Sequence, residues 1–144
     1  MRIGLYSEHA RQPVVAARQF IAERGFTANA DDIRRCRQEL VSSGDSTQFR
    51  QLILFRDFFG TSECRDLLFH VQEHRTTLPE LKRWFAELDV DFLGFSLDPG
   101  VIRQYKSRFP GDTTLTDLDC WNSFEIENPD TFGGMYQFWI QKRG

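Results

Sequence analysis

The stretch Glu63–Leu88, ECRDLLFHVQEHRTTLPELKRWFAEL, decides how the chain is organised. TLPE at residues 77–80 has the form of a capping box: the Thr77 hydroxyl can accept from the Glu80 backbone, and the Glu80 carboxylate can reach back. Leu78, Leu81, Trp84, Phe85 and Leu88 then form a broad apolar face at helical spacing. DVDFLGFSL follows at residues 89–97 and reads as a strand, with Leu93, Phe95 and Leu97 on one side. Before the box, Cys64, His70, Glu73 and His74 lie within eleven positions.

Toward the N-terminus, MRIGLYS alternates Met1, Ile3 and Leu5 with Arg2, Gly4 and Tyr6, which is strand spacing from the first residue. A helix is predicted from Gln12 to Arg24. Val14, Ala17 and Ile21 share one face, Pro13 suits its first turn, and Gly25 supplies a left-handed stop with Phe26 as apolar companion. Asn29 caps a second helix striped by Ile33, Cys36 and Leu40 and closed near Gly44, with Asp31 and Asp32 at its positive end. Residues 45–59 read as a third helical segment with Phe49, Leu52 and Ile53 inward. Gly60 breaks it, and a short helical turn from Thr61 or Ser62 holds Leu67 and Leu68.

Toward the C-terminus, Asp98-Pro99 opens a helix burying Ile102, Tyr105 and Phe109, which Pro110-Gly111 ends. Thr116 caps a segment carrying Leu118, Trp121 and Phe124, and Pro129 closes it. After a Gly133-Gly134 turn, MYQFWIQK is apolar nearly throughout, as a strand covered on both faces should be. The residues therefore predict a single α/β domain over 1–144. It has a small three-stranded mixed sheet, with strands near 1–7, 91–97 and 135–142, and about six helical segments.

Composition narrows the classes. Of 144 residues, 40% are hydrophobic and fourteen are Phe, enough for a core and against disorder. A net charge of −3 gives no basic footprint for nucleic acid, and Arg34, Arg35 and Arg37 read as a solvated helix face. No apolar run reaches the ~18–20 residues of a membrane span, and the first ten residues lack the apolar core of a signal peptide. Cys36, Cys64 and Cys120 are odd in number and contain no C-x-x-C, which reads as reduced thiols in a cytoplasmic protein.

The order of pieces resembles a known family. MRIGLYSE, then DLLFHVQEHRTTLPELKRWFAELDVDFLGFSL, then NPDTFGGMYQFWIQK are similar to the C-terminal part of class I S-adenosylmethionine-dependent methyltransferases, of the bacterial kind often fused to tetratricopeptide repeats. The resemblance covers essentially the whole chain. It implies that MRIGLYS, DFLGFSL and MYQFWIQK match the fifth, sixth and seventh strands of a seven-stranded sheet. The seventh would be antiparallel and lie between the other two. Leu78 to Leu88 would be the crossover helix, with a helical insertion from Glu8 to about Arg75 on the substrate side.

The family binds its cofactor at the first four strands, and no glycine-rich loop follows a strand in this sequence. The expectation is a methyltransferase-like portion without the cofactor-binding half, from a truncated gene or a tail domain become independent. It would hold no S-adenosylmethionine and be inactive by itself. The alternative is a non-enzymatic interaction module that self-associates through the free edge of the first strand. Its expected partner is accordingly a second copy or the missing methyltransferase half.

The polar residues keep more than one reading. His70 and His74 are spaced i, i+4, as in some metal sites, but Glu73 directly precedes His74 and the H-E-x-x-H order is absent. The run HVQEHRTT reads as extended or loop. Its imidazoles and carboxylate could satisfy backbone groups, or contact substrate beyond the carboxyl ends of the strands. Tyr6, Ser7 and Glu8 end the first strand and carry the same choice between a polar strand end and substrate contact. No G-x-S-x-G elbow surrounds Ser7. Under the resemblance, the candidate substrate-binding set is Tyr6, Ser7, Glu8, His70, Glu73 and His74. Cys64, between Glu63 and Arg65, could carry a lowered thiol pKa or be idle. Trp84, Phe85, Phe138 and Trp139 read as core aromatics.

Overall fold

The computed structural model describes residues 1–43, 47–69 and 72–144. They form two compact units: Met1–Ala10 with His74–Gly144, and Arg11–Glu73. The first unit is α/β, as expected, and contains the sheet. The second is helical.

The sheet has the order β2-β1-β4-β3, where β1 is Arg2–Ser7, β2 is Arg75–Thr76, β3 is Val90–Phe95 and β4 is Met135–Lys142. β4 lies between β1 and β3 and runs antiparallel to both, so β1 and β3 are parallel to each other. The sheet has four strands, not the expected three. Arg75 and Thr76 leave the HVQEHRTT run to pair parallel with Tyr6 and Ser7. Two residues are too few to show an alternation that a sequence pattern can register.

One face of this sheet is covered. Tyr136, Phe138 and Ile140 of β4 are buried with Leu78, Leu81, Phe85, Tyr105, Trp121 and Phe124, and Ile3, Leu5, Phe92 and Phe95 pack against them. The intervening Gln137, Trp139 and Gln141 are exposed. Expecting a two-sided cover for β4 was therefore wrong: its apolar count includes Trp139, which is 47% exposed on the open face.

β3 also departs from its expected alternation. A register shift between Phe92 and Gly94, with Gly94 at φ +129°, inserts an extra residue. Phe92 and Phe95 both face the core, and Leu93 is left exposed.

Helix α5, Leu78–Glu87, begins at the predicted capping box. The Glu80 N–H donates to Thr77 Oγ1 at 3.4 Å and the Thr77 N–H to Glu80 Oε2 at 2.9 Å. Leu78, Leu81 and Phe85 are buried, whereas Trp84 and Leu88 lie at the margin of the apolar face and are exposed. Helix α6, Pro99–Arg108, is capped by Asp98 and buries Tyr105 fully. Helix α7, Leu118–Glu127, is capped by Asp117 rather than by the expected Thr116: one carboxylate oxygen accepts from the N–H groups of both Asp119 and Cys120. The Tyr105 ring stacks on Trp121 at 3.6 Å and ties α6 to α7.

In the helical unit, α1 spans Gln12–Arg24 and α2 spans Ala30–Ser42. Gly25, at φ +69°, lets the Gly25 and Phe26 N–H groups reach Ala22 O and Ile21 O, the double bond of a Schellman stop. Asn29 caps α2 by accepting from the Asp32 N–H, and Ile33, Cys36 and Leu40 are buried. Gly44, the expected close of α2, lies outside the described residues. A short helix α3, Thr47–Arg50, passes into 3₁₀ turns at Gln51–Leu54 and Arg56–Phe58. That change of winding turns Leu52 inward and leaves Ile53 exposed, against expectation. Helix α4, Thr61–Cys64, continues as a π turn, Arg65–Phe69, burying Leu67 and Leu68. Among the described residues, no helix is long and apolar enough to cross a membrane.

Candidate functional site

The carboxyl end of β1 is where this fold gathers polar side chains. The Ser7 N–H donates to Gly134 O at 3.0 Å and the Glu8 N–H to Thr76 O at 2.9 Å, so the strand end is held on both sides. Strand alternation directs Ser7 to the covered face with Ile3 and Leu5, and it is fully buried. Its hydroxyl accepts from the Ala10 N–H at 3.0 Å and donates to Glu125 Oε1. The second Glu125 oxygen accepts from Tyr136 Oη at 2.7 Å. Ser7, Glu125 and Tyr136 are each 0% exposed.

This arrangement is a carboxylate gripped by two hydroxyls inside the core. Burying a carboxylate is costly unless donors replace its water, and charge-assisted hydrogen bonds are the strong ones. Burial pushes the Tyr136 hydroxyl far above the usual tyrosine range, and the adjacent Glu125 charge raises it further. Tyr136 therefore stays a donor at any ordinary pH. The network joins β1, α7 and β4 at one point and fixes the strand end from which Tyr6 and Glu8 project.

Those two neighbours are more open. Tyr6 and Glu8 are half-buried, and Glu8 Oε2 pairs with Arg75 Nε at 3.0 Å. Arg75 is also the register partner of Tyr6. His74, exposed and outside regular secondary structure, immediately precedes Arg75. The structure thus places Tyr6, Ser7, Glu8 and His74 in the sheet-bearing unit, around the paired ends of β1 and β2.

Glu73 belongs to the helical unit and is committed there. It accepts from Arg11 Nε at 2.7 Å and Arg11 Nη2 at 2.8 Å, and from Arg18 Nη2 at 2.9 Å, with its side chain 4% exposed. Arg18 Nη2 also donates to Leu67 O at 2.8 Å. A bidentate, nearly buried Arg–carboxylate contact holds α1 against the end of this unit. His70 lies outside the described residues.

Three other groups have their chemistry accounted for. Cys36 and Cys64 are buried in the helical core. Burial pushes the Cys36 thiol up to about 12 and raises Cys64 as well, so the lowered-pKa reading of Cys64 is overturned. Among the described residues, no group of three His, Cys, Asp or Glu side chains is placed to hold a metal. A recess of about 690 Å³ lies beside the start of α7, but its charged lining is already paired. Lys82 bonds Asp119, Arg108 bonds Glu127, and Asp112 accepts from Tyr105.

Sequence reasoning missed Glu125 and Tyr136. A signal for Glu125 was present: Leu118, Trp121 and Glu125 fall at i, i+3 and i+7, which puts the carboxylate on the buried stripe of α7. Tyr136 sits among core aromatics, and nothing local marks its hydroxyl. No protein-family model matches the chain, and no curated protein is significantly similar to it in sequence.

Proposed function

We propose that this chain is the acceptor-side, closing portion of a class I S-adenosylmethionine-dependent methyltransferase-like fold. It shapes a pocket for the methyl acceptor at the carboxyl end of β1 and carries no cofactor cradle of its own. One observation supports this most: β4 runs antiparallel between the parallel strands β1 and β3. That is the order and direction expected of the fifth, seventh and sixth strands.

Ligands of open α/β sheets sit beyond the carboxyl ends of the strands. Tyr6 and Glu8 lie at that end of β1, backed by the locked Ser7–Glu125–Tyr136 network, and His74 stands beside them at the start of β2. Methyl transfer depends mostly on holding the acceptor against the sulfonium methyl. In this reading Tyr6, Ser7, Glu8 and His74 hold or frame the acceptor, and the methyl donor is bound by a part of the fold that these 144 residues do not carry.

The test is calorimetric. The chain is titrated with S-adenosylhomocysteine, alone and as a chimera with the first four strands of a class I methyltransferase placed ahead of Arg2. The reading expects no binding by the chain up to about 1 mM and micromolar binding by the chimera. Micromolar binding by the chain alone, or a folded chimera that does not bind, contradicts it.

A further inference from the structure

We propose that the helical unit opens as one cooperative step while the sheet-bearing unit stays folded, and that the Arg11–Glu73 contact is the clasp that sets how often it opens. The proposal goes beyond the methyltransferase-like reading and does not rest on it.

The chain crosses between the units twice, at Ala10–Arg11 and at Glu73–His74. Arg11 and Glu73 are therefore the first and last residues of the helical unit. They are 62 positions apart, and the two Glu73 oxygens accept from one guanidinium, from Nε at 2.7 Å and from Nη2 at 2.8 Å. Arg18, two turns along α1, reaches the same carboxylate and also Leu67 O. The Arg11 and Glu73 side chains are 7% and 4% exposed. The contact closes the chain of the unit into a loop. Removing one partner leaves a buried charge without its counter-charge, which costs far more than a surface pair contributes.

Each unit has its own core. Val14, Ile33, Cys36, Leu52, Cys64 and Leu68 belong to that of the helical unit, and Leu78, Trp121 and Phe138 to that of the sheet. Among the described residues the two cores have no buried residue in common. Their backbones differ too. In the sheet, β4 is hydrogen-bonded along both sides. After α2, the helical unit consists of two four-residue helices, two 3₁₀ turns and a π turn among the described residues. Pieces so short do not persist once their core loosens, and such regions open ahead of a sheet as contiguous cooperative units.

The side chains supply a separate reporter for each unit. Trp84, Trp121, Trp139 and all three tyrosines lie in the sheet-bearing unit. Tryptophan emission therefore follows that unit. Cys36 and Cys64 lie in the helical core, each 1% exposed, so an alkylating reagent reaches them only when the helical unit opens.

The full chain is treated with iodoacetamide across a range of urea concentrations, at reagent levels where the rates scale with reagent. Peptide mass spectrometry follows each cysteine separately. In urea below the tryptophan transition, the Cys36 and Cys64 rates should rise together. They should share one urea dependence, shallower than that of the tryptophan transition because less surface is exposed. Glu73→Gln should raise both rates at least about tenfold and leave the tryptophan midpoint in place. Arg18→Lys keeps the charge but loses the fork, and should raise them by less. Tyr136→Phe, in the other unit, should leave both rates unchanged in dilute urea. Labelling of Cys36 and Cys64 that follows the tryptophan transition in midpoint and slope overturns the proposal. So do two thiols with different urea dependences, a Tyr136→Phe chain in which both react faster, or a folded Glu73→Gln or Arg18→Lys chain labelled no faster than wild type.

Discussion

Ser7 and Glu125 are separated by 118 positions, yet the Ser7 hydroxyl donates directly to the Glu125 carboxylate in a spot with no solvent access. Tyr136 completes the contact from the neighbouring strand. Tyr136→Phe keeps the ring and removes one charge-assisted donor, so it should lower the unfolding free energy by ~1.5–3 kcal/mol in urea titration. Ser7→Ala should cost about as much, and the double variant should differ from the sum because both hydroxyls serve one carboxylate. A Tyr136→Phe chain within ~0.5 kcal/mol of wild type would mean the network contributes nothing.

The start of α5 has its own test. Thr77→Ala removes the acceptor for the Glu80 N–H and should cost ~1 kcal/mol, within a range of about 0.5–2, whereas Thr77→Ser should stay near wild type. Chemical denaturation read by far-ultraviolet circular dichroism separates the two outcomes.

Much of this architecture is legible in the sequence because it is written locally. The capping box at Thr77, the Asn29 cap and the Gly25 stop each depend on a few adjacent residues. What stayed hidden depends on partners far along the chain. β2 is two residues whose only distinction is lying beside Tyr6 and Ser7. The bulge at Gly94 moves Phe92 and Phe95 to one face, and no alternation rule anticipates an inserted residue. Trp139 looks like core in a run of apolar residues but is 47% exposed. Of the candidate site, the strand end Tyr6–Glu8 could be read directly. The place of Glu125 on the buried stripe of α7 was legible too, but its partner was not, because Glu125 joins Ser7 only after α7 docks.

Acid should act through Asp112. Burial alone would raise its carboxyl, but hydrogen bonds from Tyr105, from the Asp117 and Thr116 N–H groups and from Thr114 outweigh it and hold the pKa below the ordinary aspartate value. A depressed pKa in the folded chain stabilises it above the unfolded value of ~3.9, and that contribution is lost as the pH falls through the folded value. Asp112→Asn should therefore be less stable than wild type at pH 7, and the gap should narrow as the pH drops below about 4. A gap that is flat from pH 7 to about pH 2.5 would contradict this.

The alkaline limb belongs in part to Cys36. Burial raises its thiol to about 12, against ~8.5 for a free cysteine. A raised pKa stabilises the folded chain in full below the unfolded value, and this is lost as the pH climbs toward the folded one. Wild type should lose stability between about pH 8.5 and pH 11 more steeply than Cys36→Ala. In the native chain Cys120, half-buried, should react with a thiol reagent ahead of Cys36 and Cys64.

The most direct measurement for the account as a whole is S-adenosylhomocysteine binding by isothermal titration, on the chain and on its chimera with a four-stranded cofactor-binding half. The account predicts silence from the chain up to about 1 mM and micromolar affinity from the chimera. Micromolar affinity in the chain alone, or a folded chimera that stays silent, would contradict it.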